Sequence, residues 1–295
     1  MNQVIGHVKI LNFFDKVIKN GNLSHAYLFV GPDQVGKKTI AQEIGSKLLE
    51  IDREKIEKTA DYFFVGRLFD EKTDKTKKDI SVVQIRELRG HLSKRSYTGG
   101  YKIAIIDGAE KMSIGAVNAL LKTLEEPSEK TVIFLITDND TALPQTIRSR
   151  CQTIYFGLVS EELMKNIESD EEKTKLAQGR PGRLISWQEN EDDFMSYKNE
   201  VERFSSLLGK PFFEKLKIVD ELFGDKSDHI ATRENLDDVL QIWQLEVRKR
   251  ILFDLDVEEN RNFLQMEKKI VKARELLQQN IHPKLLVENI LLLMQ

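Results

Sequence analysis

The sequence predicts an α/β protein, a parallel sheet covered on both faces by helices and followed by an all-helical C-terminal part. Three observations lead there. Short apolar runs rich in β-branched and aromatic residues recur at Ala26–Val30, Lys102–Asp107, Thr131–Thr137 and Gln152–Phe156, the pattern of strands buried on both faces. Segments with apolar residues at helical spacing lie between them. After about Gly157 the strand-like runs cease, and helix-like segments continue to Gln295 with breaks at 179–182 and 209–211.

The elements follow in order. Ile10, Leu11, Phe13, Phe14, Val17 and Ile18 predict a helix over 10–18, broken by Asn20-Gly21-Asn22. The run Ala26–Val30 predicts a strand that stops at Gly31-Pro32, with a helix from about Lys37 to Leu49. Residues 50–78 are highly charged, and Tyr62–Val65 is their only apolar core; the expectation is one short strand between solvated loops. Val82, Ile85, Leu88 and Leu92 predict a helix that Ser81 caps through its hydroxyl. Gly99-Gly100 reads as a turn before the strand 102–107. A helix from about Ile114 to Leu124 ends at Glu125-Glu126-Pro127, and strands are expected at 131–137 and 152–156. The polar stretch from Gln188 to Asp193 predicts a domain boundary.

Composition excludes several classes. Lys plus Arg (45) nearly balances Asp plus Glu (48), which argues against a basic nucleic-acid coat protein and an acidic tail protein. Cys151 is the single cysteine, so neither an intramolecular disulfide nor a cysteine zinc cluster is available. No apolar run approaches the roughly 20 residues of a membrane span, and the opening residues lack a basic start followed by an apolar stretch. A cytoplasmic protein with no membrane partner is expected.

The motif with the clearest chemistry is Gly31-Pro-Asp-Gln-Val-Gly36-Lys37-Lys38-Thr39. It leaves a strand and opens a helix, as a phosphate-binding loop must. Glycines let backbone N–H groups face phosphates, the helix N-terminus favours anions, and Lys37 would reach the outer phosphates. The usual pattern has a hydroxyl next, to ligate Mg²⁺. Here Lys38 takes that place and Thr39 falls one residue late; an ammonium donates but cannot ligate a cation. No cofactor is required on this reading; the degenerate loop leaves ATP or ADP binding open, and little hydrolysis is expected.

Asp107 ends the strand KIAIID, one strand away from the loop, where a carboxylate commonly contacts Mg²⁺ through water; the alternative is a simple helix cap. Gly108 follows, with Glu110 two further on, and glycine cannot act as a general base. Ser149-Arg150-Cys151 precedes the last strand. A guanidinium at a domain edge can reach the γ-phosphate of a nucleotide on a neighbouring subunit, or it can form an ordinary surface ion pair. Cys151 reads as a small buried side chain. Gly179-Arg180-Pro181-Gly182-Arg183 reads, in isolation, as a polar turn with two solvated cations. His25, before a strand, reads as structural. No Ser/His/Asp arrangement and no histidine pair at metal spacing is present.

Taken in order, these segments resemble a known family. They are Ser24–Phe29 leading into Gly31–Lys37; Ile85-Arg86-Glu87-Leu88; Asp107-Gly108-Ala109-Glu110-Lys111-Met112; Ala119–Pro127 (ALLKTLEEP); Leu143–Gln152 (LPQTIRSRCQ); and Pro283–Asn289 (PKLLVEN). The chain resembles the delta-prime subunits of the bacterial DNA polymerase III clamp loader, within the AAA+ superfamily. The sister tau/gamma subunits keep a hydroxyl after the loop lysine and an acidic pair at the end of the second strand; Lys38 and Gly108 depart from that pattern. Many relatives carry a four-cysteine zinc module where this chain has Glu50–Ala60, so zinc is not carried over and no metal is expected.

The resemblance implies an AAA+ sheet domain over 1–158, a helical lid over 159–191 and a helical collar over 192–295. It implies a clamp-loader subunit that hydrolyses little or no ATP itself. The partners it implies are tau/gamma and delta subunits in a ring, the sliding clamp, and primed DNA through the assembled complex. Arg150, with Ser149, matches the motif that supplies a trans-acting arginine finger. Gly31, Gly36, Lys37, Lys38, Thr39 and Asp107 would form a degenerate nucleotide site. Thr137 falls at a polar sensor position, and Arg183 near a second sensor. Other readings are an active AAA+ ATPase of the tau/gamma type and a monomeric P-loop kinase.

Overall fold

The computed structural model describes residues 4–70, 75–223, 229–253, 257–277 and 281–294. Helix α1 (Val8–Lys19) precedes strand β1 (Ala26–Val30) and helix α2 (Lys37–Leu49). After a 3-10 turn at Arg53–Lys58 come β2 (Tyr62–Val65), the short pair β3 (Phe69–Asp70) and β4 (Lys75–Thr76), and α3 (Val82–Leu92). Strand β5 (Lys102–Asp107), helix α4 (Ile114–Glu125), strand β6 (Thr131–Thr137), helix α5 (Gln145–Arg148) and strand β7 (Gln152–Tyr155) complete the sheet region. Helices α6 (Glu161–Met164), α7 (Glu171–Ala177) and α8 (Pro181–Glu189) follow.

Five strands form one parallel sheet in the order β2-β5-β6-β1-β7. Every residue of β1 and β6 is buried, which explains why these strands read as unbroken apolar runs. The two-residue pleat sorts their side chains between two cores. Leu28, Ala104, Ile106, Ile133 and Leu135 pack with Ile85 and Leu88 of α3 and Leu120 of α4. Tyr27, Phe29, Ile103, Ile105 and Phe134 pack on the other face with Phe14 of α1 and Ile40 and Ile44 of α2. Aromatic rings tie that second face together: Phe14 meets Tyr27 edge-on at 4.8 Å, and Tyr27 stacks on Phe134 at 5.7 Å between centroids.

The local signals act as the sequence suggests at α3. Ser81 accepts from the Gln84 N–H, and the Gln84 side chain accepts from the Ser81 N–H, a reciprocal capping box. Two features differ from expectation. Residues 50–78 hold more than one strand: the turn at Arg53–Lys58 buries Ile56, and β3 and β4 pair antiparallel. Strand β7 ends at Tyr155 and is only half-buried, because it forms the sheet edge with a single neighbour.

Asp61 gives a buried anchor beneath the sheet. Its carboxylate accepts from the Tyr97 and Thr98 N–H groups at 2.8 and 3.0 Å, and from the Ser96 and Thr98 hydroxyls at 3.0 and 2.9 Å. Burial pushes its pKa up, but these donors more than offset that and hold it below the ordinary carboxylate value.

The chain divides into two compact units, Met1–Gln188 and Glu189–Gln295. The division falls inside the polar stretch 188–193, where Asn190 caps the next helix by accepting from the Asp192 N–H. The second unit is helical: α9 (Glu191–Leu207), α10 (Phe212–Asp220), a 3-10 turn at Glu221–Phe223, α11 (His229–Phe253), α12 (Val257–Leu277) and α13 (Pro283–Leu291). Phe204, Leu240, Trp243, Ile270, Val287 and Ile290 lie in its core. Trp243 is fully buried and donates its indole N–H to Glu200 at 2.6 Å. Lys215, also buried, donates to the carbonyl of Leu291 at the end of α13 and to that of Met294 just beyond it. No described helix is long and apolar enough to cross a membrane.

Candidate functional site

Strand order puts the loop after β1 and the end of β5 on one edge of the sheet, with β6 between them. The loop is fixed by its neighbours. The Gly31 N–H donates to the Thr137 carbonyl at 3.2 Å, and the Phe156 N–H to the Val30 carbonyl at 2.7 Å. A Cβ on Gly31 would collide with the Phe156 carbonyl, so this position needs glycine. Gly36, at φ +101°, stands at the N-terminus of α2.

Lys37 opens α2 and is 6% exposed. Its ammonium does not project outward. It donates back to the carbonyls of Gly31 and Pro32 within its own loop. Burial lowers its pKa, while the charges of Asp33, Asp138, Asp107 and Glu110 pull the other way. Lys38 turns toward β2: its Nζ lies 4.2 Å from the centre of the Phe64 ring and 3.8 Å from Glu57 Oε1. The residue in the place of the magnesium-binding hydroxyl is thus engaged by an aromatic face and a carboxylate. Thr39 lines a pocket with His7, Val35, Gly36, Pro181 and Gly182.

Asp107, at the end of β5, has its pKa raised by burial, against the pull of Lys38 and Lys37. Gly108 follows with φ +74°, a left-handed backbone that favours glycine over the glutamate of an ATPase. Glu110 also has its pKa raised by burial, opposed first by the Thr137 hydroxyl, and its Oε2 is buried without a partner. Thr137 is buried at the end of β6; its hydroxyl donates to the Asn139 carbonyl at 3.0 Å and accepts from the Asn139 N–H at 3.1 Å. Lys37 and the helix start supply positive character, whereas position 38 supplies no oxygen ligand.

The start of α8 grips the loop. The Gly182 N–H donates to the Gln34 carbonyl at 2.8 Å, and Arg183 Nε donates to Gln34 Oε1 at 3.1 Å. This corrects the reading of 179–183 as a turn with two solvated cations: Arg180 and Arg183 are each 7% exposed. Close packing on the loop removes both from water, and Arg180 Nη1 donates to the Gln178 carbonyl at 3.0 Å. His7 joins from the N-terminal side. Its Nε2 lies 3.1 Å from the Val35 carbonyl, and burial lowers its pKa. Sequence reasoning missed His7 and Gln34. The positive φ of each (55° and 62°) left no mark in the sequence.

Arg150 lies apart from this cluster, between α5 and β7. It is 34% exposed in its side chain; Nη2 pairs with Glu125 Oε1 at 2.7 Å, and Nη1 donates to the Thr146 carbonyl at 2.9 Å. Ser149 Oγ donates to the same carbonyl at 3.3 Å. Cys151 packs against the first core, and burial pushes its thiol up to about 12, so it stays protonated. His25 Nε2 lies 3.1 Å from the Leu124 carbonyl at the end of α4, a structural contact. Among the described residues no cluster of three or more His, Cys, Asp or Glu is placed to hold a metal ion.

Residues 6–160 match the family described as "DNA polymerase III, delta subunit". The chain belongs to that family. The resemblance to delta-prime subunits holds in the family's relatives as well. The chain is 34% identical over 142 residues to DNA polymerase III subunit delta' of Pseudomonas aeruginosa, a match covering 43% of this chain and 42% of that one. It is 32% identical over 165 residues to DNA polymerase III subunit tau of Bacillus subtilis, covering 54% of this chain and 29% of that one. The matches thus span less than half the length of these relatives. Among solved structures, a DNA polymerase III gamma subunit-related protein from Thermotoga maritima superposes with a TM-score of 0.56 at 19% identity. That match covers 95% of this chain and 98% of that one. The likeness concerns fold, and the fold is the expected α/β arrangement, a parallel sheet covered by helices with a helical C-terminal part.

Proposed function

We propose that this chain is a delta-prime-type clamp-loader subunit, a largely silent stator that lends Arg150 to the ATP of a neighbouring tau/gamma subunit. Its setting would be ATP-dependent loading of a sliding clamp on primed DNA, in the cytoplasm. The observation that carries the reading is the state of its own phosphate loop. Lys38 stands in the hydroxyl's place, and Gly108 takes the position of the base. A subunit so equipped hydrolyses little, while Arg150 stays half-exposed on a firm support. ATP or ADP in the loop would then serve a structural end, held by the Gly31 and Gly36 backbone, Thr39 and the N-terminus of α2, with Lys37 bracing the loop through its own carbonyls. No zinc would be needed.

Within this reading, the sheet domain ends near residue 158, the helices to about 191 form a lid, and the remainder forms the collar that joins the ring. DNA affinity of the chain alone would be weak and salt-sensitive, because its charge is near balance and the ring shares the phosphate contacts. Mixing the chain with purified tau/gamma-type and delta-type subunits and weighing the product tests the assignment. A stable hetero-oligomer with DNA- and clamp-stimulated ATPase supports it. Brisk ATP turnover by the isolated chain, or no assembly, would refute it.

A further inference from the structure

The segment ALLKTLEEP closes α4 with an acidic end, Glu125-Glu126. We propose that Glu125 is a positioning residue, a fixed bracket that aims the Arg150 guanidinium across the subunit boundary. The inference rests on the reading of Arg150 as a trans-acting arginine.

The geometry is that of a splint. Glu125 Oε1 takes Nη2 at 2.7 Å and the Thr146 carbonyl takes Nη1 at 2.9 Å, so both ends of the planar group are held. A guanidinium carries five N–H donors, and this bracket leaves others free for an incoming phosphate. Glu125 itself sits on a firm base. The preceding residue, Leu124, is 2% exposed, and its carbonyl meets His25 Nε2 at 3.1 Å. On the other side, Ile147 of α5 is fully buried in the same core as Leu124.

Helix physics does not explain the residue. Glu125 occupies the last turn of α4, where a carboxylate opposes the helix dipole. The pair is also half-exposed, 34% for the Arg150 side chain and 48% for the Glu125 side chain, so it contributes little to folding. A pair that adds little to folding yet, with the Thr146 carbonyl, contacts both ends of the guanidinium fits an aiming role.

The test uses the reconstituted complex carrying E125A, E125Q or R150A. E125A is expected to lower kcat of the stimulated ATPase by about fivefold with KM for ATP unchanged. E125Q, which keeps an oxygen acceptor of the same shape, should recover most of that loss. The mass of the complex and the melting temperature of the chain should not move, and E125A should add nothing in an R150A background. A lowered rate with R150A but not with E125A would overturn the bracket and leave the finger standing. A rise with E125A would make Glu125 a competitor, and failed assembly would make it an interface residue; either overturns the proposal. An unchanged rate with R150A would remove the underlying reading, and the bracket with it.

Discussion

Replacing Lys37 by methionine separates a structural phosphate loop from a working one. In an ATPase the loop lysine serves the outer phosphates, and its loss abolishes turnover. Here its ammonium is spent on the Gly31 and Pro32 carbonyls, inside a buried setting that four carboxylates face. Lys37→Met removes a charged donor from two carbonyls, a gross loss of roughly 3–6 kcal/mol at about 1.5–3 kcal/mol for each hydrogen bond to a charged group. Relief of the ammonium's desolvation returns part of this. The net cost is expected near 2 kcal/mol, a fall in melting temperature of roughly 4–8 °C for a unit of this size. Burial lowers the Lys37 pKa from 10.5. The folded chain therefore releases that proton more readily than the unfolded chain. Its contribution to stability is flat near neutrality and rises with pH only in the alkaline window below 10.5. Lys37→Met should erase that alkaline rise. Calorimetry of the purified chain reads the melting temperature, and a coupled assay reads ATPase of the assembled complex, which should fall less than twofold. A collapse of complex ATPase, with no change in melting temperature, would refute the reasoning.

Two further outcomes follow from the same contacts. Asp61→Ala should destabilise the sheet unit by roughly 3–4 kcal/mol, at about 1 kcal/mol for each hydrogen bond lost. Because the folded pKa of Asp61 lies below its ordinary 3.8, the wild-type carboxylate gives full stabilisation above that value and loses it as pH falls through the folded pKa. The variant's acid unfolding curve should be shallower there, and an identical curve would contradict the assignment. Lys38→Thr restores a hydroxyl but leaves glycine at 108, so ATP turnover by the isolated chain should stay at background. Measurable turnover would show that the loop lysine alone had silenced the site.

How much of this was legible beforehand depends on the distance over which each feature is encoded. The inner strands could be bounded closely, because Gly31-Pro32, Gly99-Gly100 and Pro127 punctuate the apolar runs. The Ser81 cap is local and was readable for the same reason. Strand β7 was read as one more buried strand, since its apolar pattern does not reveal that it lies on the sheet edge. The β3–β4 pair joins two residues from each side within a charged stretch, too short to leave a period. At the site, residue type and spacing pointed to the phosphate loop, whereas the finger reading of Arg150 came from the family resemblance and residue type alone favoured the surface ion pair that it forms. Type and spacing could not show Lys37 turned onto its own carbonyls. Arg180 and Arg183 look solvated by type, and only the packing of α8 on Gln34 buries them. The Arg150 partner lies 25 residues away along the chain, beyond any local pattern.

The central claim is that this chain contributes a guanidinium to chemistry on another subunit. Its most direct measurement is the clamp- and DNA-stimulated ATPase of the reconstituted complex with Arg150→Ala against wild type. Fingers of this kind are worth a factor of about 10³–10⁵ where their removal has been followed. A large fall at the neighbouring site is expected, with the mass of the complex unchanged. An ATPase rate equal to wild type, in a complex of the same mass, would contradict it.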